Sequence, residues 1–131
     1  MTKILLVEDE ELNRTLVKAV LARAEVAAVR EAAVIDAFSL ASAREKLGTE
    51  DVDLVLLDMN LPDGNGLSLA RELAAGDMPA GRRKPAVVAV TASVLAHDRA
   101  AAIEAGCDGF LDKPYAAADL VAAVARHLPQ G

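Results

Sequence analysis

Two kinds of apolar pattern alternate along the chain. Four short runs are apolar throughout: ILLV at 4–7, LVLL at 54–57, AVVAV at 86–90 and FL at 110–111. A weaker fifth, AVIDAF at 33–38, sets the β-branched pair Val34 and Ile35 inside alanine-rich sequence. Runs with no polar alternation suit strands covered on both faces, the condition of a parallel sheet flanked by helices. Between them the apolar spacing lengthens to three and four. Leu12, Leu16, Val20 and Ala24 recur every four residues. Leu40, Ala43 and Leu47 share a face after Ser39, a predicted N-cap, and Gly48 is expected to end that helix. Leu69 and Leu73 follow a Gly-rich turn, an alanine-rich segment covers 94–106, and Leu120, Val121, Val124 and Leu128 predict a last helix closed by Pro129. With no Gly or Pro between Arg14 and Gly48, the first helix can end anywhere from Ala24 to Ala32. Five strands alternating with five helices predict an α/β fold built on a doubly wound parallel sheet.

Composition narrows the setting. A chain of 131 residues fits one domain, residues 1–131, with no separate output domain. Hydrophobic residues make up 53% of it and aromatics 2%, so the core is expected to be built from Ala, Val, Leu and Ile. A net charge of -6 gives no basic footprint for nucleic acid or an anionic membrane surface. Cys107 is the sole cysteine, which excludes an intrachain disulfide and a cysteine-cluster zinc site, and it reads as a small buried hydrophobe. The acidic amino terminus does not read as a signal peptide, and no run approaches the roughly 20 apolar residues of a membrane helix. The expected location is the cytoplasm, without membrane insertion.

In an open parallel sheet the functional crevice lies beyond the carboxyl ends of the strands. The residues there are Glu8 and Asp9 after the first run, Asp58 after the third, Thr91 after the fourth, and Asp112 and Lys113 after the fifth. Two carboxylates about 4 Å apart repel by ~1 kcal/mol in water and ~4 kcal/mol at an effective dielectric of 20, so Glu8, Asp9 and Asp58 gathered at one crevice call for a cation. Lys113 alone does not balance them. Oxygen ligands with room for water match Mg2+, with Mn2+ as the alternative. A metal and an ammonium facing one aspartate point to phosphoryl transfer onto that carboxylate, with Asp58 as nucleophile.

The ordered set VEDE (7–10), LLDMNLPDGNG (56–66), VTAS (90–93) and FLDKPY (110–115) resembles the receiver domain of two-component response regulators over almost the whole chain. The resemblance implies a flavodoxin-like sheet in the order 2-1-3-4-5. It implies that Asp58 accepts phosphate from a histidine kinase or a histidine phosphotransfer protein in a two-component system or phosphorelay. Asp9 would bind Mg2+ directly, Glu8 largely through water, and Asp58 and the backbone carbonyl of Asn60 would complete the protein's ligands. Lys113 would pair with a phosphoryl oxygen. Thr91 would move its hydroxyl towards the phosphate, and Phe110 matches the aromatic switch position. Ser93 and Asn60 would tune phosphate lifetime, and the Lys113–Pro114 peptide bond would be cis. Such a module is not an enzyme beyond its own phosphorylation and dephosphorylation. Its output would pass to a downstream protein target, without direct nucleic-acid contact.

The alternatives are a receiver cut from a larger hybrid kinase or multidomain regulator, and an aspartate-nucleophile phosphatase. The phosphatase would carry an acid where Asn60 stands and would need a cap domain. A receiver that never takes phosphate is disfavoured by the complete acceptor set. Phosphorylation-dependent dimerisation stays open. The turn DGNGLSLA lacks the third glycine of a dinucleotide fingerprint, having Leu69 there. His97 and His127 show no ligand spacing and read as surface residues, and 76–86 reads as a solvated connection.

Overall fold

A computed structural model of the chain describes residues 2–76, 84–91, 96–113 and 115–128. Five parallel strands, β1 (Lys3–Val7), β2 (Ala33–Ala37), β3 (Leu54–Asp58), β4 (Ala86–Thr91) and β5 (Gly109–Asp112), form one sheet in the order β2-β1-β3-β4-β5. Five helices alternate with them: α1 (Glu11–Ala22), α2 (Leu40–Thr49), α3 (Leu67–Ala74), α4 (Ala96–Glu104) and α5 (Ala117–His127). A single helical turn, Ala27–Arg30, precedes β2, and a hairpin pairs Asn60–Leu61 with Gly64–Asn65. The expected doubly wound order is therefore present.

The absence of alternation in the strand runs has its reason in the two cores. Ile4, Leu6, Leu54, Leu56, Val88 and Val90 pack on one face with Val17 and Leu21 of α1 and Leu120 and Val124 of α5. Their neighbours Leu5, Val7, Val55, Leu57, Val87 and Ala89 pack on the other face with α2, α3 and residues of α4. Successive strand side chains point to opposite sides, so a sheet covered on both sides needs an apolar residue at every position.

Several details differ from the sequence reading. In α1 the buried residues are Val17 and Leu21, while Leu12 and Leu16 are 67% and 55% exposed. A four-residue repeat drifts around a helix of 3.6 residues per turn, so Leu12 and Leu16 leave the sheet-facing side. The helix ends at Ala22, before the expected range. In α2, Gly48 lies within the last turn instead of ending the helix, which runs on to Thr49. Ser39 does cap α2, accepting a hydrogen bond from the Ser42 amide at 3.1 Å. Ser93, the Lys113–Pro114 bond, Pro129, the side chain of His97 and most of the 76–86 connection lie outside the described residues. Among the described residues no helix is long and apolar enough to cross a membrane.

Candidate phosphoacceptor site

Strand parity brings the acids together. Asp58 continues the side of β3 that carries Leu54 and Leu56, and Glu8 follows Ile4 and Leu6 one residue beyond β1. Val7 and Leu57 are register partners, so the two acids leave adjacent strands at the same level. Both turn towards the α1 and α5 side. The Glu8 amide donates to the Ala37 carbonyl at 2.9 Å, which extends the β1–β2 ladder and fixes where its side chain starts.

Carboxylate oxygens of Glu8, Asp9 and Asp58 all lie within 4.8 Å of one another, with Glu8 and Asp58 buried and Asp9 exposed. Lys113 Nζ stands 3.7 Å from Asp58 Oδ2 and 3.9 Å from Glu8 Oε2. Asn13 Nδ2 donates to Glu8 Oε1 at 2.8 Å, and Arg14 Nη1 donates to the Glu8 carbonyl at 2.7 Å. Burial pushes the Glu8 carboxyl up to about 7, helped by a hydrogen bond with Asp58 and by that residue's charge, and opposed by Asn13 and Lys113. A shared proton is the expected response of two buried acids that one ammonium fails to neutralise. These residues therefore fit a divalent cation: all are oxygen donors, they converge from two strand ends, and exposed Asp9 opens the cluster to the water that Mg2+ retains.

Thr91 and Phe110 lie on the other side of the sheet. Thr91 shares the parity of Val87 and Ala89 and is 5% exposed, while Phe110 packs partly buried against the same core. The Lys113 amide donates to the Thr91 carbonyl at 2.7 Å, so the backbone ties the lysine to the threonine strand.

The turn after Asp58 is set by close packing. A Cβ at Gly66 would lie 2.4 Å from the Asp58 carbonyl oxygen and 3.2 Å from Leu57 Cγ. Glycine lets the start of α3 press against the acceptor's own backbone. A Gly66→Ala chain is therefore expected to lose about 1–3 kcal/mol, as overpacked sites do. Chemical denaturation of the two chains checks this.

Sequence reasoning missed Asn13, Arg14 and Tyr115. Asn13 and Arg14 are polar residues in the first turn of α1, and their position after two acids was the available signal. Tyr115 lines a cleft of about 550 Å3 between α1 and α5, together with Leu16, Ala117 and Leu120, that opens at Asp58 and Lys113. Burial raises its phenol, and the Glu8 and Asp58 charges raise it further. Cys107 is partly buried with its thiol pushed up to about 11, chiefly by burial, which makes it a poor nucleophile.

Residues 4–125 match the family of response regulator receiver domains. The chain belongs to that family. It is 35% identical over 123 residues to the transcriptional regulatory protein CutR of Streptomyces coelicolor, a match that covers 93% of this chain and 51% of CutR. It is 36% identical over 125 residues to the aerobic respiration control sensor protein ArcB of Escherichia coli, covering 92% of this chain and 14% of ArcB. Among solved structures it resembles the receiver domain of the sensor histidine kinase PA1611 from Pseudomonas aeruginosa, which has a magnesium ion coordinated in its active site cleft. That likeness has 31% identity and a TM-score of 0.77, and covers 96% of each chain. The receiver thus spans about half the length of CutR and a small share of ArcB. Receiver domains are in general signalling modules rather than enzymes; they bind Mg2+ at an acidic pocket and interact with histidine kinases or phosphotransfer proteins.

Proposed function

We propose that this receiver takes a phosphoryl group on Asp58 and hands the resulting change of shape to a protein target. The observation that carries the reading is the buried Asp58 carboxylate, hydrogen-bonded to Glu8 and 3.7 Å from the Lys113 ammonium. In the transfer, an Asp58 oxygen attacks phosphorus, the bond from phosphorus to the donor's imidazole nitrogen breaks, and the imidazole departs. Lys113 is placed to hold a phosphoryl oxygen. Asp9, Asp58 and the Asn60 carbonyl would hold Mg2+, or Mn2+, with Glu8 acting through water, and the ion when bound supplies positive charge to the phosphoryl oxygens. Asn13 orients Glu8, and strand burial keeps Asp58 from turning away.

The donor is a histidine kinase or phosphotransfer protein in the cytoplasm. Leu12 and Leu16, exposed on α1 close after Asp9, form apolar surface of the kind a protein partner covers. The module catalyses nothing beyond gain and loss of its own phosphate and touches no nucleic acid itself. Phosphate on Asp58 would draw the Thr91 hydroxyl and repack Phe110, which lies on the same sheet face. Moving such an equilibrium from 1:99 to 99:1 needs ~5.5 kcal/mol, within reach of a few charge-assisted hydrogen bonds. Beryllofluoride with Mg2+ is expected to shift the amide resonances of Thr91 and Phe110. Unmoved resonances in a Mg2+-bound native chain would sink the reading.

A further inference from the structure

The hairpin that follows Asp58 is anchored to a helix distant in sequence. Asp63 Oδ1 accepts the Leu40 amide at 2.8 Å and its Oδ2 accepts the Ala41 amide at 3.0 Å. Those are the first two amides of α2, which have no partner inside their own helix. Ser39 Oγ takes the Ser42 amide and Ser42 Oγ takes the Ser39 amide at 3.0 Å, so all four free donors at the start of α2 are satisfied and Asp63 accepts half of them. The Leu40 and Ala41 amides hold the Asp63 carboxyl below the usual carboxylate range. Between Asp58 and Asp63 stands Asn60, whose partner in the hairpin is Asn65. The far end of this loop is held at Gly66, whose amide donates to the Met59 carbonyl at 2.9 Å.

We infer that Asp63 is a positioning residue for the metal site: by tethering the 60–65 hairpin to the first turn of α2, it fixes the direction of the Asn60 carbonyl. Glu8, Asp9 and Asp58 leave adjacent paired strands and need no such help, because the sheet sets their spacing. Asn60 lies beyond the end of β3, after Met59, whose amide still donates to the Val90 carbonyl at 3.2 Å, and its hairpin has only two paired positions, so Asp63 holds the part of the loop that the sheet does not. The α2 end is itself held to the site, because the β2 end that leads into it receives the Glu8 amide at Ala37. A ring of contacts therefore runs from Glu8 through Ala37, the start of α2 and Asp63 to Asn60. This inference rests on the reading of Asn60 as a metal ligand.

Magnesium titration of the native chain followed by calorimetry or amide resonances tests it, alongside three variants. Asp63→Ala is expected to raise the Mg2+ Kd about tenfold, the lower end of the effect seen for groups that orient a ligand. Asp63→Asn removes the same negative charge but keeps one acceptor oxygen, so its Kd is expected to fall clearly between those of native and Asp63→Ala. Ser39→Ala removes a different cap from the same helix end, and should lower the melting temperature while leaving the Kd within about twofold of native. Equal losses in the Asp63→Ala and Asp63→Asn chains would show that charge, not the tether, matters, and would overturn the inference. So would an equal loss in Ser39→Ala, or an unchanged Kd in Asp63→Ala. A native chain that binds no Mg2+ would overturn the metal site together with the inference.

Discussion

An Asp58→Asn chain incubated with acetyl phosphate and Mg2+ is expected to keep its mass, while the native chain gains one phosphoryl group. An amide oxygen is a weak nucleophile and carries no charge to hold the metal, so the loss should be complete within detection. The same change has a second effect of opposite value to the protein. Asp58 contributes to the elevated Glu8 carboxyl in two ways: its hydrogen bond stabilises protonated Glu8, and its charge repels Glu8 once that group is ionised. Replacing it leaves Lys113, 3.9 Å from Glu8, facing two acids of the cluster instead of three. In the presence of a chelator above pH 7, where Glu8 is ionised, the variant should melt several degrees higher, corresponding to ~1 kcal/mol or more at the separations of this cluster. Intact-mass measurement and thermal melts read the two effects independently. Phosphate found on Asp58→Asn would place the acceptor elsewhere, and a variant less stable than native would show that the acid cluster carries no repulsive load. A site that loses stability in order to hold a reactive carboxylate follows the common opposition of activity and stability.

The parts of this molecule that could be read from the sequence are those whose cause is local. ILLV followed by Glu8 and Asp9, and LVLL followed by Asp58, each announce a strand and a charge at its mouth within a few residues. The order of those acids along the chain then places them at one edge of the sheet. The α1 stripe misled because periodicity counts apolar residues without asking what covers them: Leu16 is as regular as Leu21 but faces solvent and the cleft. The end of α1 was hidden for another reason, since alanine and valine serve helix, turn and β2 equally between Ala22 and Ala33. Asp63 and Asn13 escaped notice because their work is done through hydrogen bonds to atoms placed by the fold. Asp63 reaches a backbone amide 23 residues away, and nothing in PDGNG marks its carboxylate as a helix cap. Thr91 is marked in the sequence by its place after AVVAV and Phe110 by the resemblance to receiver domains. Strand parity now places them together on the face opposite Glu8, which a run of uniformly apolar residues conceals.

The second large effect is a reversal of pH dependence by Mg2+. Glu8 carries its proton up to about pH 7 in the folded chain and to about 4.5 when unfolded. The folded state therefore binds more protons than the unfolded state between those values, and stability without metal is greatest on the acid side and declines as pH rises through 7. At 1.36 kcal/mol per unit the shift corresponds to about 3 kcal/mol, and water at the open Asp9 side reduces this to about 1–2 kcal/mol. Asp63 works in the opposite sense, since its lowered carboxyl stabilises the fold at neutral pH and withdraws that support as pH falls below the usual carboxylate range. The two windows do not overlap, which leaves the interval from about pH 5 to pH 7.5 to Glu8. A cation displaces the shared proton, so Mg2+ affinity should climb over that same interval and its stabilisation should grow with pH. Melts in chelator are thus expected to fall across the interval, and melts in excess Mg2+ to stay level or rise. A Glu8→Gln chain should flatten the chelator curve, because the group that titrates is gone while its shape remains. If the native chelator curve is already flat, Glu8 does not hold the proton and the cluster is not under the strain that makes it a cation site. If Glu8→Gln keeps the decline, the titrating group lies outside this cluster, since the Tyr115 phenol that faces it is held above its ordinary range.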